Sequence, residues 1–181
     1  MRITVSGFPG SGTTSLSRYL AQRHGFTMIS AGEVFRQCAK EHNMDLAEFG
    51  RLAEKDPSYD KKIDRRQKEI AEEKDNIIVE GRLSGWMVDN ADLKIWLFAP
   101  IDCRLKRIVF RDQIADEETA KKITLEREKC EAGRYQSYYD IRIEDLSIYH
   151  IILNSEKWGV DDLGTIVDTA INQMMPRRDQ Q

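Results

Sequence analysis

A chain of 181 residues suits one domain with a small inserted lobe, and it is long enough to bury a core without staples. With 40% hydrophobic and 33% charged residues, the composition is that of a strongly charged, soluble globular protein. A net charge of -3 argues against bulk nucleic-acid binding, which draws on a basic excess, but it leaves room for a local basic pocket around a small anion.

The elements alternate from the start. RITVSG (Arg2–Gly7) is a short β-branched run that stops at glycine and reads as a buried strand. Residues 14–25 read as a helix, with Leu16, Tyr19 and Leu20 as its apolar positions and Gly25 as its stop. A second strand is expected at 26–30. The helix that follows should be capped by Ser30, which has capping-box spacing to Glu33. A polar helical stretch covers about 46–74, broken at KDPSYD, where Pro57 suits the first turn of a new helix. NIIVEG (76–81) is a third strand, and its Ile-Ile-Val run suggests burial on both faces. A fourth strand at 91–100 ends in proline. A helix at 101–111 puts Leu105, Ile108 and Val109 on one face, and a long charged helix spans about 116–139. Residues 149–155 form a fifth strand, residues 159–175 a last amphipathic helix, and PRRDQQ a frayed tail.

This alternation predicts an α/β fold with a parallel sheet and helices on both faces. Ligands of such sheets bind beyond the carboxyl ends of the strands. The segments at about 31–75 and 112–140 are too charged for core elements and are expected to be mobile lobes over that edge. The three cysteines, Cys38, Cys103 and Cys130, have no CxxC spacing and fit reduced cytosolic thiols. The apolar stretch after Met1-Arg2 is too short for a signal peptide, and no window reaches the ~18 apolar residues of a membrane span. A cytoplasmic protein is expected. His24, His42 and His150 lack metal-ligand spacing and read as surface or structural, and Trp86, Trp96 and Trp158 read as core.

GFPGSGTT (residues 7–14) nearly matches a phosphate-binding loop: Gly, four residues, Gly, Lys, then Ser or Thr. Thr13 stands in the lysine's place. The strand before and the helix after are the context a phosphate loop requires. The loop of Gly7, Phe8, Pro9, Gly10, Ser11, Gly12, Thr13, Thr14 and Ser15 can wrap a phosphate at a helix N-terminus with its backbone N–H groups, Pro9 alone supplying none. Thr14 offers a hydroxyl to Mg²⁺. The competing reading of the loop alone is an ordinary glycine-rich turn.

The remaining polar residues decide between them. Glu80 ends the third strand and can orient Mg²⁺. Arg36 and Arg82 follow neighbouring strand ends and could converge on one substrate phosphate. Arg107 and Arg111 share a helical face, as do Arg127 and Arg134. Several such charges suit a transferring phosphoryl group, whose charge spreads over its oxygens. Pairing with Glu117, Glu118, Glu126, Glu128 and Glu131 on a solvated helix is the alternative for any one of them.

These runs resemble the nucleoside monophosphate kinases, and among them the archaeal-type cytidylate kinases. The matching runs are RITVSGFPGSGTTSLSRYLA, SAGEVFR, DRRQKEIA, VEGRLSGWMV, ADLKIWLFAP and LSIYHIILNS with its following Trp158. The resemblance implies a three-layer P-loop kinase fold with a five-stranded parallel sheet. Its core would be 1–30, 76–111 and 141–175, with an NMP-binding lobe at about 31–75 and a lid at about 112–140. It implies transfer of the ATP γ-phosphate to CMP, and to dCMP, with Mg²⁺ held through Thr14 and Glu80. By the same resemblance Arg36 and Arg82, with Ser30 and Gly81, belong to the acceptor phosphate site. Arg107 lies over the donor adenine, and Arg111, Arg127 and Arg134 serve the transferring group. Asp64, Arg65 and Arg66 sit in the acceptor lobe near base or ribose.

Three positions depart from the pattern. Thr13 replaces the common lysine. Leu83 stands where bacterial cytidylate kinases carry an acid near the acceptor sugar. His150 stands where an acid is expected. An arginine, Arg82 or one from the lid, is expected to replace the lysine's charge. No nucleic-acid or membrane partner is expected, and a monomer suits swinging lobes. A kinase for AMP or UMP, and a nucleotide-binding switch without turnover, remain alternatives.

Overall fold

The computed structural model describes residues 1–44 and 46–174; the expected tail lies outside them. Five strands, β1 (Arg2–Gly7), β2 (Thr27–Ser30), β3 (Ile77–Glu80), β4 (Leu93–Phe98) and β5 (Ile151–Asn154), form one sheet in the order β2-β3-β1-β4-β5. Every pairing is parallel. All strands therefore end at the same edge, and β1 lies where the chain switches from building one side of the sheet to building the other.

Strand periodicity sends alternate residues to opposite faces. One face carries Ile3, Val5, Ile78, Leu93, Ile95 and Leu97. It is covered by Leu16 and Leu20 of α1 (Thr13–His24) and by Leu163, Val167 and Ile171 of α8 (Val160–Met174). On the other face, Ile77 and Val79 meet Ala71 of α4 (Pro57–Glu73). There too Trp96 packs with Leu83, Ile141, Ile143 and Tyr149. The near-continuous apolar run of β3 is thus explained: all four of its residues are buried.

The remaining helices are α2 (Ala31–Glu41), α3 (Leu46–Lys55), α5 (Ser84–Met87), α6 (Ile101–Asp112) and α7 (Glu117–Tyr139). Asp56 and Asp116 cap α4 and α7, accepting from the amides of Ser58 at 2.9 Å and Thr119 at 2.8 Å. The one-turn α5 has no signal in the sequence beyond the turn after β3.

Several expectations change. The segment 31–75 has a core of its own: Val34, Cys38, Ala39, Phe49 and Ile63 are buried together. The long helix α7 likewise buries Ala120, Thr124 and Glu131. High charge marked their outer faces and hid these inner ones. Ser30 occupies the cap position of α2 but makes no capping bond, because its hydroxyl is committed to Glu80. Glu33 instead lies 3.9 Å from Arg18. Trp96 is core, whereas Trp158 is 53% exposed. His24 pairs with Asp168 at 2.8 Å, a structural role. His150 accepts from the Lys94 amide at 3.2 Å and so extends the β4–β5 edge.

Tyr149 packs on Trp96 with ring centroids 5.2 Å apart. It also lies so close to Gly85 that a Cβ there would fall 2.6 Å from the ring. Burial pushes its hydroxyl up to about 12. Below pH 10 the phenol is neutral in both folded and unfolded chains. Between about pH 10 and 12 only the unfolded chain ionises it, so stability falls as pH rises, by about 1.4 kcal/mol per unit. Urea unfolding across this range should show that slope, and Tyr149→Phe should lack this contribution to it.

Candidate active site

The site is built where β1 leaves the sheet. The loop after it folds back on itself: the Ser11 amide and hydroxyl both donate to the Phe8 carbonyl, at 3.1 and 2.6 Å. Gly10, at φ +81°, lies against α6, where a Cβ would fall 2.7 Å from the Arg104 carbonyl oxygen. Glycine is required there on both counts.

Three consecutive loop carbonyls are held from behind. Arg104 Nη1 donates to Pro9 O at 3.1 Å. Arg107 Nη1 donates to Gly10 O at 3.1 Å. The buried Ser155 hydroxyl donates to Ser11 O at 2.7 Å. Arg107 also donates to Ser155 at both its hydroxyl, 3.0 Å, and its carbonyl, 2.6 Å. With these carbonyls drawn toward α6 and β5, the loop amides other than that of Ser11, together with those of the first turn of α1, are the groups left to meet an anion. The first amides of a helix have no intrahelical acceptor, and the helix dipole adds partial positive charge there.

The acid at the strand edge is tied to this cradle. Glu80 Oε1 accepts from the Thr13 hydroxyl at 2.7 Å, and Oε2 accepts from the Ser30 hydroxyl at 2.6 Å. The residue in the lysine's place thus bonds to the candidate metal acid instead of reaching toward phosphate. Glu80 is 8% exposed. The Asp112 carboxylate, 2.6 Å from Arg111, raises the Arg111 guanidinium above its usual value, and Glu80 adds to this in smaller part.

Beyond β3, a buried hydroxyl pair shapes the turn that presents Arg82. Ser6 and Ser84 hydroxyls meet at 2.8 Å, Ser84 donates to Gly81 O at 2.9 Å, and the Gly85 amide donates to Ser6 at 3.1 Å. Arg82 itself is mostly buried, its side chain 11% exposed, and it is ion-paired with Glu131 of α7. Desolvation pulls its guanidinium down to about 10, and neighbouring Arg127 pulls the same way. Glu128, one turn earlier on α7, meets Arg104 at 2.5 Å. The helix α7 is therefore joined to both the loop's brace and the β3 exit.

The residues present suit a magnesium ion. Mg²⁺ takes one or two carboxylates and completes its shell with phosphate oxygens and water, so it needs no all-protein cage. Among the described residues no group of three or more His, Cys, Asp or Glu is gathered. Glu80 and the Thr14 hydroxyl are donors of the required hard type.

A family model described as the cytidylate kinase-like family matches residues 2–157. The chain is 83% identical over 174 residues to a Methanoregula boonei protein named cytidylate kinase, covering 96% of each. It is 63% identical over 171 residues to another of that name from Methanosphaerula palustris, covering 94% of this chain and 97% of that one. The chain belongs to the cytidylate kinase-like family. In shape it also resembles a shikimate kinase from Bacteroides thetaiotaomicron. That likeness has a TM-score of 0.64 at 14% identity, over 95% of this chain and 98% of that one, and it bears on the fold alone.

Within this family fold, loop residues 7–15, Glu80, Ser30, Gly81, Arg82 and Arg107 gather at the sheet edge. Arg107 also borders an open depression with Pro100, Asp102, Cys103, Lys106 and Glu156, beside the loop it braces. Arg127 joins through Glu131, its Nε 2.8 Å from the acid. Arg36 is exposed, with its Nη1 close to Gly32, whereas Arg82 is engaged with Glu131. Asp64 accepts from Tyr139 of α7 at 2.7 Å. Arg65 and Arg66 pair with Glu69 at 3.9 Å and Glu41 at 3.4 Å. Arg134 is partly buried on α7. Arg104 and Ser155 join the candidate site without having been assigned to it from the sequence, whereas Glu128 and Glu131, expected there only as partners of the arginines, do pair with Arg104 and with Arg82 and Arg127. For Arg104 the signal was its spacing of three from Arg107 on one helix; for Ser155 it was its place at the end of a strand.

Thr13→Val removes the hydroxyl that holds Glu80 and keeps the side-chain shape. Nucleotide turnover is expected to fall about 10- to 100-fold, the worth of one hydrogen bond to a charged group. Thr13→Ser should stay near the unaltered enzyme, and Thr13→Lys should gain nothing, because its ammonium would pair with Glu80. A coupled ADP-release assay checks all three.

Proposed function

We propose that this protein transfers the γ-phosphate of ATP to CMP, and to dCMP, with Mg²⁺ as the metal. The observation that carries the reading is the braced loop: three carbonyls are held away from the side its amides present, at the edge where Glu80 and Arg82 emerge. Relatives named cytidylate kinase support CMP as acceptor.

The acceptor oxygen of a nucleoside monophosphate is already anionic at neutral pH, so no general base is needed. Catalysis is then positioning and charge stabilisation. The loop amides and α1 N-terminus hold the donor phosphates. Arg107 flanks the depression beside the loop, where the donor base would lie. Arg82, with Arg36, Ser30 and Gly81, receives the acceptor phosphate, and Arg111, Arg127 and Arg134 offset the charge of the transferring group. Asp64, Arg65 and Arg66 lie on the acceptor side. Thr14 and Glu80 would hold Mg²⁺, which would supply neutralisation of phosphate charge. Residues 31–75 act as the acceptor lobe and 112–140 as the lid, closing to exclude water. Among the described residues no helix is long and apolar enough to cross a membrane, and we place the enzyme in the cytoplasm as a monomer.

A panel of CMP, dCMP, UMP and AMP with ATP tests this. CMP and dCMP should be phosphorylated first. Preference for AMP or UMP would reassign the acceptor, and no transfer at all would make the protein a binder. Arg82→Ala should cost about 10²- to 10³-fold in turnover on CMP.

A further inference from the structure

Glu131 meets two arginines at once. Its Oε1 accepts from Arg127 Nε at 2.8 Å, and its Oε2 pairs with Arg82. The residue is 6% exposed, so these cations and not water compensate its charge. One anion with its oxygens divided between two guanidinium groups is the arrangement that a phosphate demands of arginines.

We propose that Glu131 is a positioning residue that takes the acceptor phosphate's place on Arg82 in the substrate-free enzyme and is displaced from it when the acceptor binds. The inference rests on the assignment of Arg82 to the acceptor phosphate. A desolvated guanidinium without a counter-ion is costly, so exchanging one anion for another keeps Arg82 compensated both before and after binding. The exchange has two consequences. Competition lowers the apparent acceptor affinity by the fraction of Arg82 that Glu131 occupies. Release of Glu131 also leaves it paired with Arg127 alone, so acceptor binding loosens the hold of α7 on the β3 exit. The acceptor's arrival is thereby signalled to the helix that carries Arg127 and Arg134.

Glu131→Gln keeps the size and removes the competing charge. Calorimetry with CMP and no ATP should show binding about tenfold tighter than in the unaltered enzyme, equivalent to one charge-assisted hydrogen bond. In turnover, KM for CMP should fall together with kcat, since Arg127 loses its anchor. Unchanged or weaker CMP binding, or a fall in kcat with KM unchanged, overturns the proposal. Glu126→Gln, at an exposed site on the same helix, should leave CMP affinity unaltered; an equal gain there would mark a general charge effect and also overturn it. Hydrogen exchange on the unaltered protein gives a reading that does not depend on a variant folding: CMP alone should speed exchange of the amides at 128–134, and no speeding counts against the exchange of anions. If the unaltered enzyme does not bind CMP at all, it is the assignment of CMP as acceptor that fails.

Discussion

The carboxylate of Glu80 accepts one hydroxyl from the phosphate loop and another from the end of β2, at 2.7 and 2.6 Å. Those two bonds tie three adjacent strand ends, β2, β3 and β1, to one anionic point. The parallel sheet makes this possible, because it delivers every carboxyl end to one edge. Ser30 gives up a helix-capping bond to do so, a local concession in favour of the site. The acid is thereby fixed in direction by bonds of the chain's own.

The same edge is braced from its other side. Arg104, Arg107 and Ser155 draw the Pro9, Gly10 and Ser11 carbonyls toward α6 and β5. A phosphate loop usually adds a lysine charge in front of its phosphates. Here the charge bonded to the loop sits behind it, in arginines that shape the backbone, while Arg82 and Arg127 are both engaged with Glu131 of α7. Glu128 and Glu131, three residues apart on α7, pair with Arg104 and Arg82. The helix α7 is therefore coupled electrostatically to both halves of the cradle.

How much of this was legible in the sequence follows from the range of each interaction. The strands, their order of appearance and the loop could be read from local patterns: β-branched runs ending at glycine, and a glycine spacing with a helix behind it. Glu80 and Arg82 were legible because they lie at the end of a buried strand and just beyond it. The partners were not. Nothing local links Thr13 to Glu80, 67 residues on, or Ser155 to Ser11, 144 residues apart. The buried interiors of 31–75 and of α7 were masked by charged outer faces, and Ser30 looked like a cap because capping is the commonest use of serine before a helix. The capping spacing was real but the hydroxyl had a stronger claim, an anionic acceptor.

The central claim is that Thr13 acts through Glu80, replacing the lysine by holding the acid. A double-mutant cycle on kcat/KM with Thr13→Val and Glu80→Gln tests it most directly. The predicted result is that the double variant is no more impaired than Glu80→Gln alone, since Thr13 has nothing left to hold. Additive losses, with the double variant impaired by the product of the two single effects, would contradict it.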